Sequence, residues 1–132
     1  MEDWLTGFLN TVGGVAGTVH VREQDNLRLV ACQNIPEPVQ RIIGLVPRGK
    51  GMAGLALERG VPVQTCNLKE DTSGDVRPGA KAVDAGAAVA VPVRSSDGTI
   101  AAVVGAAFAE NREIGSEELM RIAQAASSLP GR

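Results

Sequence analysis

The stretch GLVPRGKGMAGLA, residues 44–56, comes within one position of a phosphate-binding loop. Read from Gly44 it spells G-x-x-x-x-G-K, and then sets Gly51 where a Ser or Thr would hold magnesium. Such a loop works between a buried strand and a helix whose first amides converge on the phosphates. Here the preceding residues, PVQRII (38–43), have the pattern of a helix. Pro47 removes one amide donor, and Gly51 offers no metal ligand. The parallel strand–helix alternation around such loops is also missing, so nucleotide hydrolysis is not expected. The same glycines have an architectural use. Gly49, Gly51 and Gly54 permit a tight turn and a close approach of the following helix to a sheet.

Working outward, MAGLALERG (52–60) reads as a helix closed by Gly60, and VPVQT (61–65) as a short strand. NLKEDTSGDVRPGAKAVDAG (67–86) is a connection of about 20 residues, a length that in compact domains is usually functional or mobile. AAVAVPV (87–93) and TIAAVVGAAF (99–108) flank SSDG, the clearest hairpin in the chain. Val89 and Val91 point one way along this strand, and Ala88 and Ala90 the other. Strands apolar on both faces belong in the middle of a covered sheet. SEELMRIAQAASSL (116–129) reads as a helix with Ser116 as N-cap, and Leu119, Ile122, Ala123 and Ala126 on one stripe.

Upstream, Pro36 and Pro38 open a short helix through EPVQRIIG. GTVHVRE and LRLVACQN form a hairpin over residues 17–34, with Asp25-Asn26 as its turn. Trp4, Leu5, Phe8, Leu9 and Val12 recur at helical spacing. The order α-β-β-α-α-β-loop-β-β-α predicts one α+β domain over residues 1–132, with a mostly antiparallel central sheet and helices on both faces.

The totals narrow the function classes. A chain of 132 residues with a net charge of −2 and only three aromatics carries neither the basic footprint nor the stacking platforms of a nucleic-acid binder. No apolar run approaches the roughly 20 residues that span a bilayer, and MEDWLTGFLN is unlike a secretory signal. Two cysteines make no staple framework. A reduced, cytoplasmic compartment is expected, and the start at Met1 favours a complete small protein.

VPRGKGMAGLALERGVPVQTCNL, GAAVAVPVRSSDGTIAAVVGAAF and EIGSEELMRIAQAAS, in that order and spacing, resemble the GAF domain family, a PAS-related fold. The resemblance runs from about Val15 to Leu129. It implies a sensory module that binds a small molecule between sheet and long loop and pairs through its terminal helices. One branch of that family reduces free methionine sulfoxide with cysteines, including one in the turn after G-x-G, and the matching position here is Ala53. Cys32 and Cys66 do not recover that branch's pattern, although two cysteines on separate elements leave a redox alternative open. The cyclic-nucleotide branch is echoed imperfectly by Asn111 to Glu118, which also suits a helix entry without any ligand.

Residue by residue, the expected function is non-catalytic: capture of a small ligand under the segment 66–84, with the signal passed to a partner protein. Arg77, able to grip an oxyanion with two donors, is the first choice of anchor, beside Asp71 and Lys81. Cys66, Met52, Val89 and Val91 complete the expected ligand-binding set. The floor comes from Val89 and Val91, or from Ala88 and Ala90, with Val103 or Val104 beside them, and helix amides near Pro78 or after Gly51 offer an anion site. A second hypothesis needs no ligand: a homodimer through Trp4, Phe8, Leu119 and Ile122. No cofactor or metal is expected. His20, the only histidine, lacks a companion at ligand spacing, and no serine sits in a nucleophile elbow.

Overall fold

In the computed structural model, residues 1–68 and 85–131 are described. Asp71, Arg77 and Lys81 fall outside them. Among the described residues, ten elements follow in chain order: α1 (Glu2–Val12), β1 (Ala16–Glu23), β2 (Asn26–Gln33), α2 (Glu37–Ile42), β3 (Leu45–Pro47), α3 (Gly51–Arg59), β4 (Val63–Thr65), β5 (Ala88–Arg94), β6 (Ile100–Ala107) and α4 (Ser116–Ala126). The strands form one sheet in the order β3-β2-β1-β6-β5-β4, with every neighbouring pair antiparallel. This is an α+β fold.

Alternation along the central strands sends side chains to two separate cores. On one face, Val19, Val89, Val91 and Val104 pack under Leu5, Phe8 and Leu9 of α1 and Ile122 and Ala126 of α4. On the other, Leu27, Ala90 and Val103 meet Ala56 and Leu57 of α3, and Val39 of α2 lies over Ala16, Ala88 and Ala107. Burying the larger of these side chains contributes about 1.5–3 kcal/mol each.

Phe8 and Ile122 are thus buried in the chain's own core. The expected homodimer contact through them is corrected: a folded copy cannot reach either ring or side chain. Trp4 is half-buried, stacks on Phe8 with centroids 5.2 Å apart, and donates its indole N–H to Ser128 Oγ at 3.1 Å. Leu119 packs half-buried against the same core. The two terminal helices therefore satisfy each other.

The glycine turn does what its composition demands. Gly49 and Gly51 take φ of 81° and 65°, and Gly49 N–H donates to Gly54 O at 2.9 Å. A Cβ on Gly54 would intrude on the Pro47 carbonyl oxygen, so α3 rests directly on the backbone of β3. Gly60, with φ of 72°, closes α3.

Three local expectations are corrected. A strand, β3, does precede the turn, although it has three residues and lies at the sheet edge. The β1–β2 turn is Gln24-Asp25, because Glu23 pairs with Asn26 in the ladder. Gly115 is the N-cap of α4, Ser116 being already helical with no capping bond from its side chain.

Candidate ligand cavity

A cavity of about 130 Å³ lies between the sheet and the helices α2 and α3. Sheet register explains its floor. Thr18 of β1 stands opposite Gly105 of β6, which stands opposite Ala90 of β5; one step along, Ala16, Ala107 and Ala88 form a second row. Residues directly opposite in a ladder share a face, so two rows of small side chains sit where the other core has valines. A Cβ on Gly105 would reach within 2.6 Å of Thr18 Oγ1, which shows how closely that space is held. Val39 and Ile43 roof the cavity from one side. Because Gly54 pins α3 against β3, the first turn of that helix, Gly51 to Ala53, roofs it from the other.

The walls are mostly apolar, and the few polar groups stand out. His20 lines the cavity and is only 2% exposed. Its Nε2 lies 2.8 Å from the carbonyl oxygen of Ile43. A carbonyl can only accept, so the proton sits on Nε2 and Nδ1 is left as an acceptor. That Nδ1 is buried without a partner, an arrangement that costs about 1–3 kcal/mol. Burial pushes the imidazole pKa below its ordinary value, while the bond to Ile43 opposes the shift. The ring is therefore neutral near pH 7. Thr18 adds a half-buried hydroxyl, and Lys50 stands exposed at the rim.

No protein-family model matches the sequence, and no curated protein does. Solved structures do match. The type II free methionine-R-sulfoxide reductase of Thermoplasma acidophilum superposes with a TM-score of 0.74 at 16% identity, over 96% of this chain and 84% of that one. The GAF domain of a phosphoenolpyruvate-protein phosphotransferase from Coxiella burnetii gives 0.72 at 16% identity, over 96% and 77%. The GAF domain/HD domain protein of Geobacter sulfurreducens gives 0.74 at 11% identity, over 96% and 84%. The chain has a GAF-like fold. A reductase and the GAF domain of a phosphotransferase share it, so the fold leaves activity to be argued from the residues.

Within this GAF-like fold, Met52 lines the cavity. Val89 borders it, although its side chain belongs to the core under α1 and α4. Val91 is a correction: it faces that opposite core and lies away from the cavity, whose floor is Ala88 and Ala90. Cys66 is exposed just past β4, its carbonyl accepting the Arg112 N–H at 3.0 Å, and it is not part of the lining. Sequence reasoning missed His20, Thr18 and Gly105. Strand alternation puts Thr18 and His20 on one face, and the small residues at 88, 90 and 107 are the signal that this face is hollow.

The redox alternative meets a geometric obstacle. Cys32 on β2 and Cys66 beyond β4 are separated by four inter-strand spacings, β2 to β1 to β6 to β5 to β4. At ~4.8 Å each that is about 19 Å across the sheet, whereas a disulfide needs Cα atoms within about 7 Å. Burial, and then the charge of Glu2, push the Cys32 thiol pKa up, which disfavours the reactive thiolate. Arg112, in the segment that echoes a cyclic-nucleotide motif, spends both its terminal nitrogens on Glu118 at 2.6 and 2.8 Å and lies 5.0 Å above the Phe108 ring. It ties the approach of α4 to the core. Among the described residues no group of His, Cys, Asp and Glu is placed to hold a metal, and no helix is long and apolar enough to cross a membrane.

Proposed function

We propose that this GAF-like domain is a non-catalytic sensor that takes a small molecule into the cavity under α2 and α3 and passes the event to a partner protein. The observation that carries the reading is the buried, unpartnered Nδ1 of His20 in the wall of a cavity floored by Gly and Ala. A well-packed interior would neither leave that acceptor unpaired nor hold such a void. A ligand in the cavity fills that void.

Two features support a route from ligand to output. His20 tethers the C-terminal end of α2 through Ile43, so a ligand that shifts the ring also shifts α2. Leu68 lines the cavity and its N–H donates to Gly86 O at 2.8 Å, so the described chain on either side of residues 69–84 is joined beside the site. Arg77, Asp71 and Lys81 on that segment are proposed to close over the ligand. The absence of a thiol at Ala53 and the distance between the cysteines favour binding over reduction.

The test is a thermal-shift screen of small organic molecules against the wild type and Ala88→Leu, which places a larger side chain on the cavity floor. A ligand present at 100 times its Kd adds about 2.7 kcal/mol to the stability of the form it binds. Molecules that stabilise the wild type and leave Ala88→Leu unmoved support the reading. Stabilisation of both proteins to the same extent rules the cavity out.

A further inference from the structure

Resting on the cavity reading above, we infer that the ligand is an uncharged, mostly hydrocarbon molecule of about five to eight non-hydrogen atoms with no more than one hydrogen-bonding group. Apolar contact holds its body, and where it carries a polar group the Thr18 hydroxyl serves that group.

The polar groups around the cavity leave no place for a charge inside it. Among the described residues of its lining, Thr18, His20 and Lys50 alone carry nitrogen or oxygen in their side chains. Lys50 is exposed at the rim and Gly51 to Ala53 are partly exposed beside it, so water serves these groups. His20 spends Nε2 on the Ile43 carbonyl and keeps Nδ1 buried, out of a ligand's reach. The backbone of the floor is engaged as well, because β6 is paired with β1 on one side and with β5 on the other. What remains is the half-buried hydroxyl of Thr18. An ion taken in here gives up its water and meets no counter-charge, which is the costliest form of burial. A polyol fails for a related reason: it brings several hydroxyls to a wall with one partner for them.

Hydrocarbon meets the opposite conditions. Val39, Ile43, Val46 and Leu68 offer branched alkyl surface, and Met52 offers a thioether that adapts to the outline of an occupant and favours the edge of a ring. Ala88, Ala90, Gly105 and Ala107 project no more than a methyl from the sheet, so an occupant lies close against the strands. Water is a poor filler, since Thr18 is its one accessible side-chain partner inside and a buried water is held by about two to four. A volume near 130 Å³ is close to that of an engineered apolar cavity of about 150 Å³ that stays dry and takes up benzene. A molecule of that size restores the dispersion contacts that the lining atoms lack while the space is empty.

The experiment is a calorimetric titration of the wild-type protein at pH 7.5 with benzene, benzyl alcohol, benzylammonium and benzoate, probes that share a ring and differ in polarity and charge. The side-chain methyl resonances of Val39, Ile43, Ala88 and Ala90 are followed by NMR in parallel. We expect saturable binding of benzene and benzyl alcohol, ring-current shifts of those methyls, and binding of both ions weaker by about tenfold or more. Thr18→Val, which keeps the shape of the side chain, weakens benzyl alcohol and leaves benzene unchanged, and Lys50→Gln changes neither. An unchanged affinity of Thr18→Val for benzyl alcohol removes Thr18 as the polar partner. Benzoate or benzylammonium binding as tightly as benzyl alcohol, with the same methyls shifting, overturns the uncharged assignment while leaving the cavity a ligand site. Benzene that binds with those methyls unmoved sits elsewhere and overturns the inference. Binding of none of the four also overturns it, and the thermal-shift screen with Ala88→Leu then decides separately whether the cavity takes another class.

Discussion

Substituting Gly54 by Ala tests the reading of the glycine turn, and Gly7 by Ala is its internal control. Both glycines lie inside helices, where Ala is ordinarily better by about 0.5–1 kcal/mol. Gly7 sits on the exposed side of α1 with nothing within 4 Å of a Cβ, so Gly7→Ala should stabilise by that amount. At Gly54 the Cβ falls inside 3.0 Å of the Pro47 carbonyl oxygen and 3.2 Å from Gly49 N. Restoring an ordinary C···O contact of about 3.3 Å means separating α3 from β3 by more than ~0.3 Å, against two backbone atoms that cannot rotate away. Overpacking of this kind costs about 1–3 kcal/mol, which exceeds the propensity gain. The bond from Gly49 N–H to Gly54 O, 2.9 Å long, lengthens as well. Urea denaturation should show the midpoint falling for Gly54→Ala and rising for Gly7→Ala, with the slope unchanged. A Gly54→Ala protein as stable as the wild type would refute the account of why these glycines are there.

Three further outcomes follow from the same structure. The guanidinium of Arg112 holds the Glu118 carboxyl below the usual carboxylate range, so its contribution is full above a pH of about 4.3 and is lost as pH falls further. Discounted for the partial exposure of both side chains, Glu118→Gln should cost about 1 kcal/mol at pH 7 and almost nothing at pH 3, read from denaturant midpoints at the two values. His20 has the same sign for a different reason. Its folded pKa is depressed, so the unfolded chain takes up the proton first, and stability declines as pH falls below about 6.5. His20→Gln should flatten the stability profile between pH 7 and 5; an unchanged slope would show that the ring is solvated. Finally, Cys32 and Cys66 should remain two titratable thiols after mild oxidation of dilute protein, counted by mass after alkylation, and an internal disulfide would contradict the strand order.

The sequence made the two hairpins, the four helices and both terminal stripes legible, because each carries a period or a punctuating Gly or Pro. It hid elements that lack one. Leu45, Val46 and Pro47 form a strand too short for alternation to register, at the sheet edge, where proline is tolerated. Gln24 takes φ of 56° in the first hairpin, where turn chemistry favoured the neighbouring Asp25-Asn26 pair. The cavity was legible in part. Alternation along β5 separates Val89 and Val91 from Ala88 and Ala90, but both sets are apolar, and only packing decides which faces the hollow. His20 carries no spacing signal at all. Its importance comes from Ile43 occupying one ring nitrogen and nothing occupying the other.

The most direct test of the central claim, that the hollow between β1, β5, β6 and α3 holds a small molecule, is native mass spectrometry of the wild type and Ala88→Leu. Each would be sprayed as purified and after incubation with a small-molecule mixture, and then denatured. The account predicts an adduct on the wild type that is lost on denaturation and is absent from Ala88→Leu. Identical ligand-free spectra from both proteins, with and without the mixture, would contradict it.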